Sequence, residues 1–487
     1  MDNRPNILLI SADQMRRDAL GAYSNRVIKT PNIDKLADNG MAFDNHFIQN
    51  PVCMPSRWTV FTGRYPRNHG VRENGTEFDN SEQTIARVLR DSGYATGAFG
   101  KMHLTPALLT VHDDIEQWPE DRFGFTSWAV TDDAKKGPYL DYLKEQDEEV
   151  YRYVKRQGEE KVKEDLMSAA ERSFTVAPQI KENSIPPELH QSSWIADRTI
   201  DFIKQEEKPF FAWCSFVDPH HPFDPPEPYA SMYDPEAIPA PLFKEDELLD
   251  KPKHFYDMYT GYSPGNEKYD FRTVTDEGWK TLRSKYYGMV TLIDYNIGRI
   301  VEALREAGKL DNTVIIVTSD HGELLGDHGL LFKGPFHYDC LIRVPLIVSA
   351  PQYITSGSRV HDITQHTDLF PTICGFAGVH VPHTAQGRSL APLLNGDFGN
   401  GYEYALTEHY CGDWGFNVKT IRSRNWRLTY YGGQTFGELY NLDNDPNEFK
   451  NLWDNPIYQN KREELKTVLI DRLLATEDRT QKRVAKY

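Results

Sequence analysis

The sequence is poor in cysteine and has no long apolar run. Its 487 residues include five widely separated cysteines without a CxxC pair: Cys53, Cys214, Cys340, Cys374 and Cys411. This spacing excludes a disulfide scaffold and a cysteine zinc site, and reduced thiols are typical of an intracellular protein. The N-terminal run NILLIS is too short for a signal peptide or a membrane span. We expect a cytoplasmic protein without a membrane partner; the alternative is a periplasmic protein whose signal peptide is absent from this sequence.

An excess of positive charge is also absent. The formal net charge is −17, whereas proteins that bind polyanions are usually basic. Nucleic acid is therefore excluded as a general partner. An acidic protein can still bind a small anion where positive side chains cluster locally.

Length and pattern predict an α/β fold in two units. Short apolar runs such as NILLIS and KPFFAWCSFV alternate with amphipathic helical segments, which favours a large, mostly parallel sheet flanked by helices. After about residue 395, closely spaced strand-like runs precede a last helix and a basic tail. We predict a larger α/β domain over 1–395, which carries the functional site. A smaller antiparallel sheet with a helix is predicted over 396–487, and the tail is a candidate contact in a homo-oligomer.

Three of the predicted strands end in polar clusters: Asp13-Gln14, Lys101-Met102-His103 and Asp320-His321. Because the carboxyl ends of parallel strands meet at one edge of a sheet, these clusters are expected to converge there. Two carboxylates, an amide oxygen and an imidazole can coordinate one divalent cation, and oxygen-rich ligands favour Ca²⁺ or Mg²⁺. The predicted metal ligands are Asp13, Gln14, Asp320 and His321.

Positive side chains are expected at the same edge. Six fall at strand ends or in adjoining loops: Arg57, Lys101, His103, His220, His321 and Lys333. Any one of them alone is more often a solvated charge or a structural histidine. Beside a metal ion, such a group forms a pocket for a small tetrahedral oxyanion and stabilises charge that develops on a transferring group.

Cys53 directly precedes a predicted helix in SRWTVFTG. At a helix N-terminus the backbone N–H groups and the dipole favour anions and lower the pKa of a thiol. The residues therefore indicate a hydrolase of phosphate or sulfate esters with a nucleophile near Cys53, and they do not distinguish sulfur from phosphorus. A thiol-based phosphatase that is indifferent to chelators is an alternative.

The segment that begins at Cys53 contains a long motif, CMPSRWTVFTG. It matches the signature C-x-P-S-R-x-x-x-x-T-G and resembles the type I sulfatases of the alkaline phosphatase superfamily. NILLISADQ, GYATGAFGKMHL, PHHPF and TSDHGELLGDHGL follow the order of this family, so the likeness covers nearly the whole chain. It implies the alkaline phosphatase-like fold. The segments 106–195 and 224–275 match least, and we expect substrate contacts there and near Tyr410–Phe416.

The resemblance implies that a maturation enzyme oxidises Cys53 to formylglycine. One oxygen of the hydrated aldehyde would attack sulfur to form a covalent sulfate ester, and the second hydroxyl would then expel sulfate. By motif match, one divalent cation, Ca²⁺ ahead of Mg²⁺ or Mn²⁺, would be held by an oxygen of residue 53 with Asp13, Gln14, Asp320 and His321. The implied roles of the other residues are to orient and activate the nucleophile (Arg57, Lys101 and His103), to bind sulfate and protonate the leaving oxygen (His220 and Lys333) and to contact the anion near the metal (Asn74).

One position departs from the family pattern. Many members have Asp-Asp where this chain has Asp13-Gln14. The glutamine and the tail sequence DRTQKR resemble the phosphonate monoester and phosphodiester hydrolases of the same superfamily, whereas Lys101 and His103 match sulfatases better. We therefore predict a sulfatase for a small sugar or aryl sulfate, with alkyl sulfates also open. Phosphonate monoester or phosphodiester hydrolysis is one alternative, and a non-catalytic binder of sulfated ligands with unmodified Cys53 is another.

Overall fold

The computed structural model describes residues 4–106, 121–165, 176–244, 246–262, 269–354 and 357–478, with the backbone alone for 161–165. The poorly matched segment 106–195 is thus described in part. The basic tail, predicted as an oligomer contact, lies outside the described residues after position 478. Among the helices of the described ranges, none is both long and apolar enough to cross a membrane.

The regular elements of the described residues agree with the predicted alternation. The strands are β1 (Asn6–Ala12), β2 (Met41–Phe47), β3 (Ala95–Gly100), β4 (Ser127–Val130), β5 (Phe210–Phe216), β6 (Thr313–Ser319), β7 (Arg343–Ser349), β8 (Ser358–Gln365), β9 (Ala405–Cys411), β10 (Phe416–Arg422), β11 (Trp426–Tyr431) and β12 (Gly437–Asn441). The α-helices are α1 (Pro31–Asp38), α2 (Cys53–Thr62), α3 (Pro66–His69), α4 (Ile85–Asp91), α5 (Pro138–Gln146), α6 (Glu148–Asp165), α7 (Gln191–Gln205), α8 (Lys253–Tyr259), α9 (Asp276–Glu306), α10 (Asp339–Ile342), α11 (Leu369–Ala377), α12 (Ala391–Leu394) and α13 (Gln459–Ala475).

The larger sheet has eight strands in the order β4-β3-β5-β1-β6-β7-β2-β8. Neighbouring strands pair in parallel except β7, which runs antiparallel to both β6 and β2. The predicted mostly parallel sheet is therefore confirmed. Since all strands but β7 share one direction, their carboxyl ends lie along one edge, where an α/β fold places its ligand site.

Both faces of the central strands of this sheet are buried, which explains why β1, β5 and β6 are mostly apolar rather than polar at alternate positions. In β1, Leu8 and Ile10 belong to one apolar layer, and Ile7 and Leu9 to the other. Residues of α1, α7 and α9 cover the first layer, and residues of α2, α4 and α11 cover the second. The helix α2, which begins at Cys53, thus packs between the sheet and the other helices of its layer.

The strands β9–β12 form a separate antiparallel sheet in the order β12-β11-β10-β9. On one face, Leu406 and Leu428 pack with Leu469 of α13. On the other face, Thr420 Oγ1 lies 2.8 Å from His337 Nδ1, so this sheet contacts the loop that follows β6. The predicted small antiparallel sheet with a helix is confirmed, and the division between residues 395 and 396 stays a prediction.

Candidate active site

The sequence-predicted site residues follow the carboxyl ends of the larger sheet. The strands and the residues that come after them are β1 with Asp13 and Gln14, β3 with Lys101 and His103, β5 with His220, β6 with Asp320, His321 and Lys333, and β2 with Cys53, Arg57 and Asn74. Residues more than 300 positions apart in the chain are thereby in contact, as Gln14 N–H donates to Asp320 Oδ1 at 3.1 Å.

Cys53 is the first residue of α2, and its side chain is 1% exposed. Its Sγ lies 3.0 Å from Lys333 Nζ, 3.2 Å from His321 Nε2 and 3.6 Å from Asp13 Oδ1. Burial and the Asp13 carboxylate act to raise the pKa of the thiol, but Lys333, His321 and Lys101 outweigh them and lower it to about 5. A negative charge at this position is therefore stabilised by its surroundings.

Four ligand atoms at this point fit a divalent cation. They lie within 4.8 Å of one another on buried side chains, namely Asp13, Cys53, Asp320 and His321. The ring of His321 has Nδ1 2.7 Å from the carbonyl oxygen of Gly322, so Nδ1 carries the proton and Nε2 turns its lone pair toward the cluster. Gln14, the remaining predicted ligand, has Oε1 2.6 Å from Lys333 Nζ, beside the same group. Two carboxylates, an imidazole and an amide oxygen suit a hard cation.

Arg57 joins the two carboxylates of this group. Its Nε donates to Asp320 Oδ2 at 2.9 Å and its Nη2 to Asp13 Oδ2 at 3.2 Å. Its Nη1 donates to Ser215 Oγ at 2.9 Å and to the Lys101 carbonyl. The planar guanidinium thus holds both carboxylates in fixed orientation, which a lysine could not do.

Lys101 forms a second cationic contact with Asp13. Its Nζ lies 2.7 Å from Asp13 Oδ2 and 3.5 Å from Asp133 Oδ1. Burial acts to lower the pKa of Lys101, but the two carboxylates outweigh it and the pKa is raised. The pKa of Asp13 is held well below its usual value, because Lys101, His220, Arg57 and Lys333 together outweigh its burial. Asp13 and Lys101 therefore both stay ionised at neutral pH.

Three other predicted residues lie around this group without the same direct contacts. His220 is buried, and burial together with Lys101 and Lys333 keeps its pKa well below the usual value. Its Nδ1 lies 2.7 Å from the His221 carbonyl oxygen, so the neutral ring presents Nε2 as an acceptor. His103 Nδ1 is buried and has no hydrogen-bond partner among the described residues. Asn74 Oδ1 accepts the N–H of Met54 at 3.0 Å, and Asn74 therefore caps the start of α2 next to Cys53.

Sequence reasoning missed two acidic residues near the site. Glu323 is fully buried, and one of its carboxylate oxygens accepts from Gln14 Nε2. It stands only two residues after His321, within the same motif, and this proximity could have identified it. Asp133 follows the edge strand β4, and only the pairing of β4 with β3 places it near Lys101.

Comparison with known proteins finds relatives along nearly the whole chain. The family model "Sulfatase" matches residues 5–379, and the model "N-sulphoglucosamine sulphohydrolase, C-terminal" matches residues 326–474. An arylsulfatase of Clostridium perfringens is 30% identical over 98% of this chain and 95% of its own length. An N-acetylglucosamine-6-O-sulfatase of Bacteroides thetaiotaomicron is 26% identical over 96% of this chain and 86% of its own.

A solved structure shows the same architecture. The phosphonate monoester hydrolase of Agrobacterium radiobacter superposes with a TM-score of 0.83 at 28% identity, over 99% of this chain and 98% of that one. The alkaline phosphatase-like fold is therefore confirmed. Family model, relatives and fold agree along nearly the whole length, and the chain belongs to the sulfatase family of the alkaline phosphatase superfamily.

Proposed function

We propose that this sulfatase hydrolyses a sulfate ester to an alcohol and inorganic sulfate, with formylglycine produced from Cys53 and one divalent cation. The observation that carries the proposal is the environment of Cys53. It begins a buried helix, its Sγ lies 3.0 Å from Lys333 Nζ, and it shares a set of cation ligand atoms with Asp13, Asp320 and His321. Such a combination of cationic and anionic groups can hold a tetrahedral sulfate group and a metal ion together.

Formylglycine would supply the oxygen of a hydrated aldehyde as nucleophile in place of the thiol. Lys333 lies within hydrogen-bonding distance of the side chain at position 53, so its ammonium group can orient that oxygen. Lys101 remains protonated because Asp13 and Asp133 raise its pKa against the effect of burial, and it can donate to a sulfate oxygen. Arg57 keeps Asp13 and Asp320 in place for the cation.

The cation would neutralise charge on the bound ester. We assign it to Asp13, Gln14, Asp320 and His321 together with the side chain of residue 53. Because oxygen atoms dominate this set, Ca²⁺ is preferred, with Mg²⁺ or Mn²⁺ as alternatives.

His220 is the proposed donor to the leaving oxygen. In the described structure its Nδ1 proton is held by the His221 carbonyl, which leaves Nε2 free to receive and pass on a second proton. Burial together with Lys101 and Lys333 disfavours the charged ring. The proton that the attacking hydroxyl of residue 53 loses would supply Nε2, and the ring would release it readily to the leaving oxygen. Such a ring is a good acid toward an alkoxide leaving group.

A second candidate function is hydrolysis of phosphonate monoesters or phosphodiesters by the same site. Gln14 favours it, since this residue removes a negative charge from the cation site, and the likeness to the Agrobacterium radiobacter enzyme supports it. Lys101 and His103 support the sulfatase instead. We rank sulfate ester hydrolysis first and infer that any phosphorus ester is the minor substrate.

Two measurements test the proposal. Mass spectrometry of the tryptic peptide that contains Cys53, from protein made in its native host, should show conversion to formylglycine. The matured protein should then release sulfate from 4-nitrophenyl sulfate with a higher kcat/KM than it shows for an aryl phosphonate monoester. Faster phosphonate hydrolysis would reverse the ranking, and an intact thiol without turnover would favour a non-catalytic binder.

We further propose a cytoplasmic location and a maturation enzyme as the one required protein partner. The motif around Cys53 supports the proposed maturation enzyme. Such an enzyme needs an accessible sequence, whereas Cys53 is buried in the folded protein. Maturation would therefore precede complete folding. A folded, unmodified protein that is converted in vitro without unfolding would contradict this order.

A further inference from the structure

The hairpin between β9 and β10 presents aromatic side chains beside the site. Its turn is closed by the N–H of Gly415, which donates to the Gly412 carbonyl at 3.0 Å, and Gly415 has a positive φ of 65°. The turn brings Trp414 and Phe416 side by side, with ring centroids 6.1 Å apart and ring planes inclined by 15°. Phe436, in the hairpin between β11 and β12, lies 5.8 Å from Phe416 by ring centroids. The three side chains are half-buried, so each keeps part of its surface open to solvent.

One end of this hairpin is attached to the loop that holds the start of α2. The N–H of Gly412 donates to Glu73 Oε2 at 3.0 Å. The next residue, Asn74, accepts the N–H of Met54, which follows Cys53 directly. Two hydrogen bonds and the Glu73–Asn74 peptide unit therefore connect the hairpin turn to the residue that follows Cys53.

A second contact connects the hairpin to the loop that carries Lys333. The imidazole of His409 in β9 hydrogen-bonds the backbone of Gly334. Gly334 follows Lys333, whose Nζ lies 3.0 Å from Cys53 Sγ. The hairpin is thus held against two loops that each carry a group in contact with Cys53 or its neighbour, and it forms one wall beside the site.

The rings of Trp414 and Phe416 pack on a buried imidazole. His254 lies 5.7 Å from Trp414 and 4.9 Å from Phe416 by ring centroids, and 5.6 Å from Phe336. Burial lowers the pKa of His254 to about 4, so its ring is neutral at physiological pH. An apolar wall with open ring faces is suited to a flat ring rather than to a charged or a linear group.

We propose that Trp414, Phe416 and Phe436 form the subsite for the leaving group of the sulfate ester, and that this leaving group carries a six-membered ring with a flat face. An aryl sulfate and a pyranose sulfate both present such a face, and a small alkyl sulfate does not. The inference rests on the proposed function. If residue 53 attacks the sulfur of the ester, the alcohol part must extend along a surface beside residue 53, and the hairpin provides such a surface. It narrows the substrate class that the sequence left open.

The test compares esters with and without a ring on the matured full-length enzyme. Trp414→Ala should lower kcat/KM for 4-nitrophenyl sulfate and for glucose 6-sulfate by about tenfold or more, mainly through KM. For ethyl sulfate the change should stay below about twofold. The ratio between the two ring esters shows which ring the subsite prefers. An equal loss for all three esters, or no loss for the ring esters, overturns the proposal.

A matched control is available on α9, outside the segments that are expected to contact the substrate. Tyr295 is 53% exposed, and Tyr295→Ala should change kcat/KM equally little for every ester. Trp414→Phe should restore most of the activity toward ring esters, because it returns an aromatic face, whereas rescue is not expected if Trp414 only supports folding.

Failure of the proposed function can be separated from failure of the subsite. If the wild-type protein cleaves no sulfate ester, the proposed function is wrong, and the subsite is then tested by binding alone. Isothermal titration of the Cys53→Ser variant with 4-nitrophenyl sulfate should give a Kd that rises about tenfold on adding Trp414→Ala. An unchanged Kd, or no binding by Cys53→Ser itself, would count against the subsite.

Discussion

Gln14 and Glu323 form a buried pair at the edge of the metal site. The side-chain nitrogen of Gln14 donates to a carboxylate oxygen of Glu323, and its oxygen accepts from Lys333 Nζ at 2.6 Å. The other oxygen of Glu323 accepts the backbone N–H groups of Leu325 and Phe332. An aspartate or glutamate at position 14 would face this carboxylate. The pair therefore explains why an amide is found where many family members have a second acid.

The first prediction concerns exchanging the amide of Gln14 and the carboxyl group of Glu323 between their two positions. Gln14→Glu alone sets two buried carboxylates against each other, and Glu323→Gln alone sets two amides there, so each should lower the melting temperature and kcat/KM. The double variant Gln14→Glu with Glu323→Gln keeps the shape, the total charge and a donor for the new carboxylate. It should recover stability, with a coupling free energy of about 0.5–3 kcal/mol.

A double-mutant cycle on thermal or urea unfolding measures this coupling. Additive effects of the two substitutions would show that the Gln14–Glu323 contact does not matter for stability. Mass spectrometry of residue 53 in each variant separates a loss of maturation from a loss of turnover.

Replacement of Arg57 is the second prediction. Arg57→Lys keeps the charge but cannot hold Asp13 and Asp320 together, because a single ammonium group lacks the planar, forked donors. We expect a fall in kcat of about 100-fold and a lower melting temperature, since breaking a buried ion pair costs about 3–5 kcal/mol. Arg64→Lys is the matched control, because Arg64 is buried and paired with Glu82 and Asp478 away from Cys53.

The readout for Arg57→Lys is kcat per formylglycine-bearing molecule, since Arg57 belongs to the motif that the proposed maturation enzyme would recognise. Full activity in the converted fraction would mean that Arg57 serves maturation alone.

Removal of the cation is the third prediction. Chelation should abolish ester hydrolysis and lower the melting temperature by a few degrees, because a ligand at 100 times its Kd stabilises the native state by about 2.7 kcal/mol. Titration of the metal-free protein with Ca²⁺, Mg²⁺ or Mn²⁺ should restore both properties, Ca²⁺ at the lowest concentration.

Asp320→Asn should lose most of the Ca²⁺-dependent rise in melting temperature, because it removes a carboxylate from the ligand set. Asp397→Asn changes an exposed aspartate and should keep the rise in full. A chelator-resistant enzyme with an unchanged melting temperature would exclude the metal site.

The pH dependence of stability is the fourth prediction, and it concerns Asp218. Burial raises the pKa of this carboxyl to about 7, although Ser192 Oγ donates to it at 2.6 Å. In the unfolded chain this carboxyl has its ordinary pKa of about 4 and loses its proton above that pH. In the folded protein it keeps the proton until the pH approaches 7. The stabilising contribution is complete at low pH and is lost as the pH rises from about 4 to 7.

Asp218→Asn removes this titration. The difference in melting temperature, variant minus wild type, should increase between pH 5 and pH 8, by an amount equivalent to roughly 2–3 kcal/mol. The exposed Asp311→Asn should show no such trend. A difference that is constant with pH would contradict the shifted pKa.

Much of the fold followed from local pattern. Strands buried on both faces are mostly apolar, as in β1, and the helices between them are amphipathic, so the α/β class and the mostly parallel sheet were predictable. The reversed direction of β7 was not, because RVPLIVSA is as apolar as its parallel neighbours and its direction depends on pairing with β6 and β2.

Those residues of the candidate site that lie in short, recognisable sequence segments were predictable. Cys53 and Arg57 belong to one motif, and Asp13, Lys101 and Asp320 stand at strand ends, where a parallel sheet brings side chains together. Asp133 was missed because nothing near it in the sequence marks it. It approaches Lys101 only through the pairing of β4 with β3.

By itself the sequence determined the strand-and-helix alternation, the helix that begins at Cys53 and the types of ligand available to a cation, because these depend on residues close together in the chain. The tertiary structure alone decided which side chains meet: Glu323 with Gln14, Arg57 with both carboxylates, and the Trp414 hairpin with the loops beside Cys53. Such meetings depend on strand order and register across hundreds of residues, which local propensity does not encode.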